Sequence, residues 1–264
     1  MGKVIVITSG KGGVGKTTTS ANLGTALAMM DKRVCLIDAD IGLRNLDVVM
    51  GLENRIVYDI VDVVEGNCRL EQALIRDKRQ NNLFLLPAAQ TRDKTAVTPF
   101  QMQELTEVLK KDMDYIIIDS PAGIEQGFKN AIAGADRAII VTTPEVSAVR
   151  DADRIIGLLE TEGLNEPEVI INRLRLDMVE KGDMMDIDDM IEILAINLLG
   201  VVPEDENIVI STNRGEPIVL KADKSKAGSA FNNIARRIEG EELPLMSLEK
   251  DTLLTKIKKI VGLA

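Results

Sequence analysis

Residues Gly10, Lys11, Gly12, Gly13, Val14, Gly15, Lys16 and Thr17 satisfy the spacing G-x-x-x-x-G-K-S/T. The run follows a short apolar stretch, Val4–Thr8, and opens a helical pattern with Thr18 in its first turn. That is the context a phosphate-binding loop requires. Glycines let the backbone curl until successive N–H groups face one anion, and the N-terminus of the following helix reinforces them. Lys16 is then placed to neutralise β- and γ-phosphates, and the Thr17 hydroxyl to ligate Mg²⁺. A glycine-rich turn by itself explains the glycines but not a Lys-Thr pair at this offset.

Carboxylates end two further apolar runs, Leu36-Ile37-Asp38-Ala39-Asp40 and Ile116-Ile117-Ile118-Asp119. Ligands of doubly wound sheets bind outside the carboxyl ends of the strands. Asp38, Asp40 and Asp119 can therefore stand beside Mg²⁺ or an attacking water. One strand-end aspartate is usually a helix cap or a turn residue; three of them with a phosphate loop point to chemistry. A guanine reader would place Asn/Thr-Lys-x-Asp after a strand. The run Val169–Ile171 leads instead into Asn172-Arg173-Leu174-Arg175, which lacks the aspartate and favours ATP.

Positioning these groups requires strands that end together. Continuous apolar runs predict strands at Val4–Thr8, Val34–Asp38, Leu83–Leu86, Tyr115–Asp119, Ala138–Thr142, Val169–Asn172 and Leu199–Val202, each buried on both faces. Helical spacing of apolar residues predicts helices at Thr18–Met30, Pro99–Lys111 and Ser147–Glu162. The alternation reads as an α/β fold, a doubly wound and mostly parallel sheet of about seven or eight strands with helices on both faces. One domain is expected over residues 1–240, with a linker and amphipathic helix over 241–264. The carboxylate-rich stretch Met178–Asp189 reads as a solvated loop and helix N-terminus.

Composition narrows the chemistry. The 264 residues contain no His, which removes His-based metal sites and Ser-His-Asp triads. Two cysteines, Cys35 and Cys68, make no disulfide scaffold and suggest a reducing compartment. A net charge of -10 argues against broad nucleic-acid binding. The N-terminal apolar run is too short for a signal-peptide core, and no 18-residue apolar run occurs, so a cytoplasmic protein is expected.

Lys11 makes the loop more specific. The octet KGGVGKTT is a deviant Walker A motif, and the sequence resembles the ParA/MinD family of P-loop ATPases. The resemblance covers essentially the whole chain and is sharpest to the septum-site-determining branch. It is carried by Ser9–Ala28, Ile37–Val63, Asp119–Asp136 and Val201–Pro217. Gly42-Leu43-Arg44-Asn45-Leu46-Asp47 separates this branch from partition ATPases. The resemblance implies an ATP-bound homodimer in which Lys11 reaches the partner's phosphates. It implies that Asp40 positions the attacking water, that Asp119 is the Walker B residue holding Mg²⁺, and that Asp38 supports the metal or the switch region. It also implies that Asn172, Arg173, Pro203, Glu204 and Asp205 flank adenine. Partner contacts are implied at Arg44, Asn45 and Asp47 and at Glu145, Asp151 and Asp153, with the division inhibitor MinC and a topological factor such as MinE as partners.

The last residues, Asp251–Ala264, gather Leu253, Leu254, Ile257, Ile260, Val261 and Ala264 within about 120° of a helical wheel. Lys258 and Lys259 lie opposite, and Lys256 sits at the edge, where its stem can snorkel. Pattern alone fits equally a last helix packed on the domain and an interfacial anchor. The resemblance implies the second: binding to anionic phospholipid at the inner face of the cell membrane while ATP is bound. Two rivals share the loop. A DNA-acting partition ATPase would need a basic dimer face, whereas the Lys and Arg residues here are scattered. An iron–sulfur reductase would need both cysteines near the switch loops, whereas Cys35 falls within an apolar run.

Overall fold

The computed structural model describes residues 1–245. Eight strands form one sheet in the order β3-β4-β2-β5-β1-β6-β7-β8. They are β1 (Lys3–Thr8), β2 (Val34–Asp38), β3 (Ile75–Arg76), β4 (Leu83–Leu86), β5 (Tyr115–Asp119), β6 (Arg137–Thr142), β7 (Glu168–Leu174) and β8 (Asn197–Pro203). All pairings are parallel except that of β3 with β4. The central strands are buried along their whole length, which explains their unbroken Val, Ile and Leu runs. The seven strands expected from the sequence are all present. The two-residue β3 lacks any apolar run of its own and exists only through pairing with β4.

Eleven α-helices cover the sheet among the described residues. One face carries α1 (Lys16–Met29), α2 (Leu46–Met50), α10 (Glu206–Thr212) and α11 (Lys226–Ile238). The other carries α3 (Ile60–Val64), α4 (Leu70–Ala73), α5 (Pro99–Leu109), α6 (Gln126–Ile132), α7 (Val146–Thr161), α8 (Leu176–Val179) and α9 (Ile187–Leu194). The sheet thus separates two apolar cores. Helix α1 is buried on nearly all sides, and its small residues make this possible. A Cβ on Gly24 would lie 2.4 Å from Leu36 Cδ2, so only glycine lets α1 approach β2 this closely. The hydroxyls of Thr19 and Thr25 donate back to carbonyls four residues earlier, so both are paired within the helix. In the carboxylate-rich stretch, Asp186 caps α9 by accepting from the Asp189 amide at 2.8 Å, as its place before a helix suggested.

Past α11 the backbone turns along β8. Arg237 fastens it there by donating to the carbonyls of Leu243 (3.0 Å), Pro244 (2.7 Å) and Leu199 (2.7 Å). The expected membrane residues Leu253, Leu254, Lys256, Ile257, Lys258, Lys259, Ile260 and Val261 lie outside the described residues. Among the described residues, no helix is long and apolar enough to cross a membrane.

Phe231 on α11 is among the largest fully buried side chains, filling the space between α11 and the sheet. Phe231→Ala should therefore cost about 3–5 kcal/mol of stability. A urea-unfolding midpoint within error of the unaltered protein would refute this packing.

Candidate nucleotide-binding site

Strand register builds the site. Ile7 pairs with Asp119 across β1 and β5, and Asp38 pairs with Asp119 across β2 and β5. The phosphate loop therefore leaves β1 level with two carboxylates. Gly13 and Gly15 have positive φ of 79° and 98°, the conformation that curls the loop. Ser9 Oγ donates to Lys11 O at 2.8 Å, and the Gly123 amide donates to Ser9 O at 3.2 Å, closing the loop against the segment after β5.

The site residues share one small volume. Lys16 is only 8% exposed. Burial depresses its pKa, and the charges of Asp119 and Asp40 act in the opposite sense. Asp119 accepts from Ser20 Oγ at 2.9 Å and from the Thr17 hydroxyl. Thr17 and Asp119 thus offer a hydroxyl and a carboxylate side by side, with Thr18 following in the first turn of α1. This oxygen donor set fits Mg²⁺, which is commonly held by one or two protein oxygens together with phosphates and water. Bound there, Mg²⁺ would neutralise charge developing on the β- and γ-phosphates.

Asp38 is engaged differently. Its Oδ1 accepts from the Asp40 amide at 3.0 Å, and its Oδ2 accepts from the Asn45 and Leu46 amides, each at 3.1 Å. Three of its acceptor sites are thus directed at the backbone, and it anchors the segment after β2 and the start of α2. Thr17 and Asp119 present the open oxygens of the expected metal set, and Asp38 lies in register beside Asp119. Asp40, half-buried at the rim, has its pKa raised by burial, opposed by the charges of Lys94 and Lys16. A carboxylate beside the phosphate lysine, yet open to solvent, is suitably placed to orient a water.

The base side is shaped by an irregularity in β7. Its register against β8 shifts between Ile171 and Leu174, and Arg173 takes a left-handed φ of 58°. The bulge turns Asn172 inward, where its Nδ2 donates to Val14 O at 2.8 Å, and leaves Arg173 exposed. A Cβ on Gly15 would fall 2.4 Å from Asn172 Nδ2, so the base-side loop rests directly on the phosphate loop. Asn172 Oδ1 is a buried acceptor with no hydrogen-bond partner among the described residues. A cleft of about 590 Å³ lies beyond, lined by Leu174, Arg175, Pro203, Glu204 and Lys226 among others. Asp205 is already engaged: it caps α10 through the Asn207 amide at 2.9 Å and accepts from Ser225 Oγ at 2.7 Å. Its part in the base wall is to hold the loop.

The residues expected to meet partners fall in two groups. Glu145 precedes α7 and Asp151 and Asp153 lie within its first half, against which the phosphate loop packs; a Cβ on Gly10 would lie 2.3 Å from Asp151 O. Arg44, Asn45 and Asp47 lie at α2. Of these, Asp47 is buried and charge-paired with Arg44 at 3.0 Å, so it presents no surface for a contact, whereas Asn45 is exposed. Residue spacing missed Ser20, one turn behind Lys16 and legible as a helix position facing the sheet. It also missed Lys94, in the loop before α5, and Lys226, the first residue of α11, which reach the site from distant parts of the chain and leave no local signal. Cys35 is fully buried in β2 with its thiol pushed up to about 12, a core residue and not a cluster ligand.

Burial, with the neighbouring Asp119 charge adding to it, pushes the Asp38 carboxyl up to about 7. Burial likewise pushes Asp119 up to about 6. In the unfolded chain both lose their protons near the ordinary aspartate value, so between there and neutrality the folded chain binds more protons. Stability of the nucleotide-free protein should therefore fall as pH rises from about 4 to about 7, by on the order of a few kcal/mol. Urea midpoints across this range should show the fall, and Asp38→Asn should flatten it; a rising profile in the unaltered protein would contradict the burial argument.

Comparison with known proteins agrees with this geometry. Residues 5–218 match the CobQ/CobB/MinD/ParA nucleotide binding domain. The chain is 60% identical over 266 aligned positions to the septum site-determining protein MinD of Bacillus subtilis, covering 99% of both chains. Its fold superposes on the MinC:MinD cell division protein complex of Aquifex aeolicus with a TM-score of 0.87 at 52% identity, covering 92% of this chain and 98% of that one. The septum site-determining protein MinD of Pyrococcus horikoshii, complexed with Mg-ADP, superposes with a TM-score of 0.82 at 32% identity, covering 90% and 96%. With its phosphate loop, its paired strand-end aspartates and this likeness along its length, the chain belongs to the CobQ/CobB/MinD/ParA family, in the MinD branch of ATPases that use ATP and Mg²⁺.

Proposed function

We propose that the chain is an ATP-switched homodimer that binds anionic phospholipid through its C-terminal segment and brings the division inhibitor MinC to the membrane, so that the septum is positioned elsewhere. Hydrolysis releases it, under a topological factor such as MinE. In this reading the protein moves between the cytoplasm and the inner face of the cell membrane.

The observation that carries the reading is the position of Lys11. Its Nζ donates to Glu145 Oε2 at 2.9 Å and to Ser147 Oγ at 3.1 Å, on an exposed rim. Lys16 already fills the buried phosphate position, and Lys11 rests outside it. An exposed ion pair of this kind is worth at most about 1 kcal/mol, so it can exchange Glu145 for a stronger anion. A second nucleotide-bound copy supplies one in its phosphates, and the exchange would free Glu145 at the start of α7 for a partner. Exposed Val146 and Ile124 flank this rim and give it apolar area to bury. Asp40 then orients the water on a triphosphate held by Lys16, Thr17 and the loop amides. The orphaned Asn172 Oδ1 is suited to accept from the amino group of adenine, which guanine does not offer at that position. The MinC:MinD complex of Aquifex aeolicus supports MinC as the partner.

Lys11→Ala should keep nucleotide in the monomer and fail to form an ATP dimer, because only the charge acting across the interface is lost. A full dimer on size-exclusion chromatography with ATP would overturn the in-trans role.

The membrane step follows from pairing two weak anchors. A helix of about fourteen residues is marginal in water, and each lysine near an anionic leaflet contributes about 1 kcal/mol. Ordering the helix opposes insertion at about 1–2 kcal/mol per residue. One segment therefore binds weakly, and a dimer that makes the second insertion intramolecular gains about 10²-fold. Sedimentation with anionic vesicles should show binding with ATP and little with ADP, weakened by salt and lost on deleting Ser247–Ala264 or in Ile257→Glu. Equal sedimentation of the ADP and ATP forms, or full binding without the segment, would refute the proposal.

A further inference from the structure

Arg79 lies in the turn between β3 and β4, away from the phosphate loop, yet its guanidinium joins two parts of the nucleotide site. Nη2 donates to Met50 O at 2.7 Å, and Nη1 donates to Gly215 O at 2.7 Å. The same group is held by Asp77, with Nη2 to Oδ2 at 2.7 Å and Nε to Oδ1 at 3.2 Å. Asp77 is buried, and its Oδ1 also accepts from the amides of Arg79 and Gln80 at 2.7 and 3.1 Å. A planar fork gripped at one edge and donating from the other is a rigid bracket, which a lysine cannot reproduce.

The two backbones it holds touch one another. Gly51 and Gly215 both have left-handed φ, 63° and 62°. A Cβ on Gly215 would lie 2.4 Å from Gly51 Cα, and one on Gly51 would lie 2.7 Å from Gly215 O. Each glycine ends a short segment whose other end is in the site. Met50 and Gly51 close α2, whose first amides are gripped by Asp38 beside Asp40. Gly215 closes the turn after α10, whose first residues are fixed by Asp205 beside Glu204. Both segments are thus pinned at one end by Asp38 or Asp205 and at the other by Arg79.

We propose that Arg79 is a positioning residue for hydrolysis: by holding Met50 and Gly215 on one guanidinium it makes the Asp40 segment and the Glu204 segment move together, so that the base bound on one side sets the placement of Asp40 on the other. The proposal rests on the base-side reading of Asn172 and Glu204 given above. It assigns adenine a part in turnover as well as in affinity.

The test is kcat at saturating ATP and at saturating GTP, for the unaltered protein, Arg79→Met, Arg79→Lys and Asp77→Asn, with a thermal midpoint for each. The unaltered protein should favour ATP in kcat by on the order of tenfold, the size of an ordinary coupling between sites. Arg79→Met should bring the two values to within about twofold, with Arg79→Lys between, because one ammonium cannot span both carbonyls in the same plane. Asp77→Asn, which loosens the bracket and keeps its volume, should narrow the ratio as well and stands in if Arg79→Met does not fold. A fall in both kcat values with the ratio intact would make Arg79 only a structural brace and overturn the proposal. Equal kcat for ATP and GTP in the unaltered protein would overturn it too, and equal KM values as well would take the base-side reading with it.

Discussion

Two aspartates end adjacent buried strands, directly opposite one another, and much of the nucleotide site serves to make that tolerable. Asp38 and Asp119 are paired in register and almost wholly withdrawn from water. Like charges this close raise each other's cost of ionisation, and burial adds to it. The two are compensated by different means. Asp38 is surrounded by three backbone amides, which fold the following segment back over it and start α2. Asp119 is met by side chains from α1, namely Ser20, Thr17 and the Lys16 charge. The first solution shapes the switch loop; the second fixes the helix that carries the phosphate loop. Placing the two acids side by side thus determines where both mobile and fixed parts of the site must run.

This division explains why the polar groups are graded by depth. Lys16, Asp119 and Asp38 are deep, and their charges act in surroundings where water screens little. Asp40 stands halfway, beside both Lys16 and Lys94. Lys11 and Glu145 are at the surface, where an ion pair is weak and exchangeable. Burial thus fixes the groups nearest the phosphate loop, and exposure leaves Lys11 and Glu145 free to exchange partners.

Much of this was legible in the residues. The strands announced themselves because burial on both faces demands unbroken β-branched runs. The phosphate loop was legible because Gly, Lys and Thr at that spacing have one physical use. Local patterns carried no trace of pairings set by the tertiary fold. The contact between Lys11 and Glu145 spans 134 positions. Strand β3 has two residues and no period. Asp38 and Asp119 look alike as strand-end acids, and only the path of the backbone beyond Asp38 shows that its oxygens meet backbone amides. Asp47 reads as a surface charge beside Arg44 and Asn45, yet the short α2 turns it inward.

The attachment of residues 243–244 to the start of β8 has a mechanical meaning. Arg237 fastens the carbonyls of Leu243 and Pro244 near the start of β8, whereas the phosphate loop, Asp40 and Lys11 are all at the opposite ends of the strands. A load on residues 243–245 therefore enters at the start of β8 and is shared along the parallel strands before it reaches the phosphate loop. A sheet loaded along its strands is stiff, so such a pull would displace the body as a unit and leave the switch loop undistorted. A pull on residues 243–245 can therefore move the whole molecule without serving as a trigger for the chemistry.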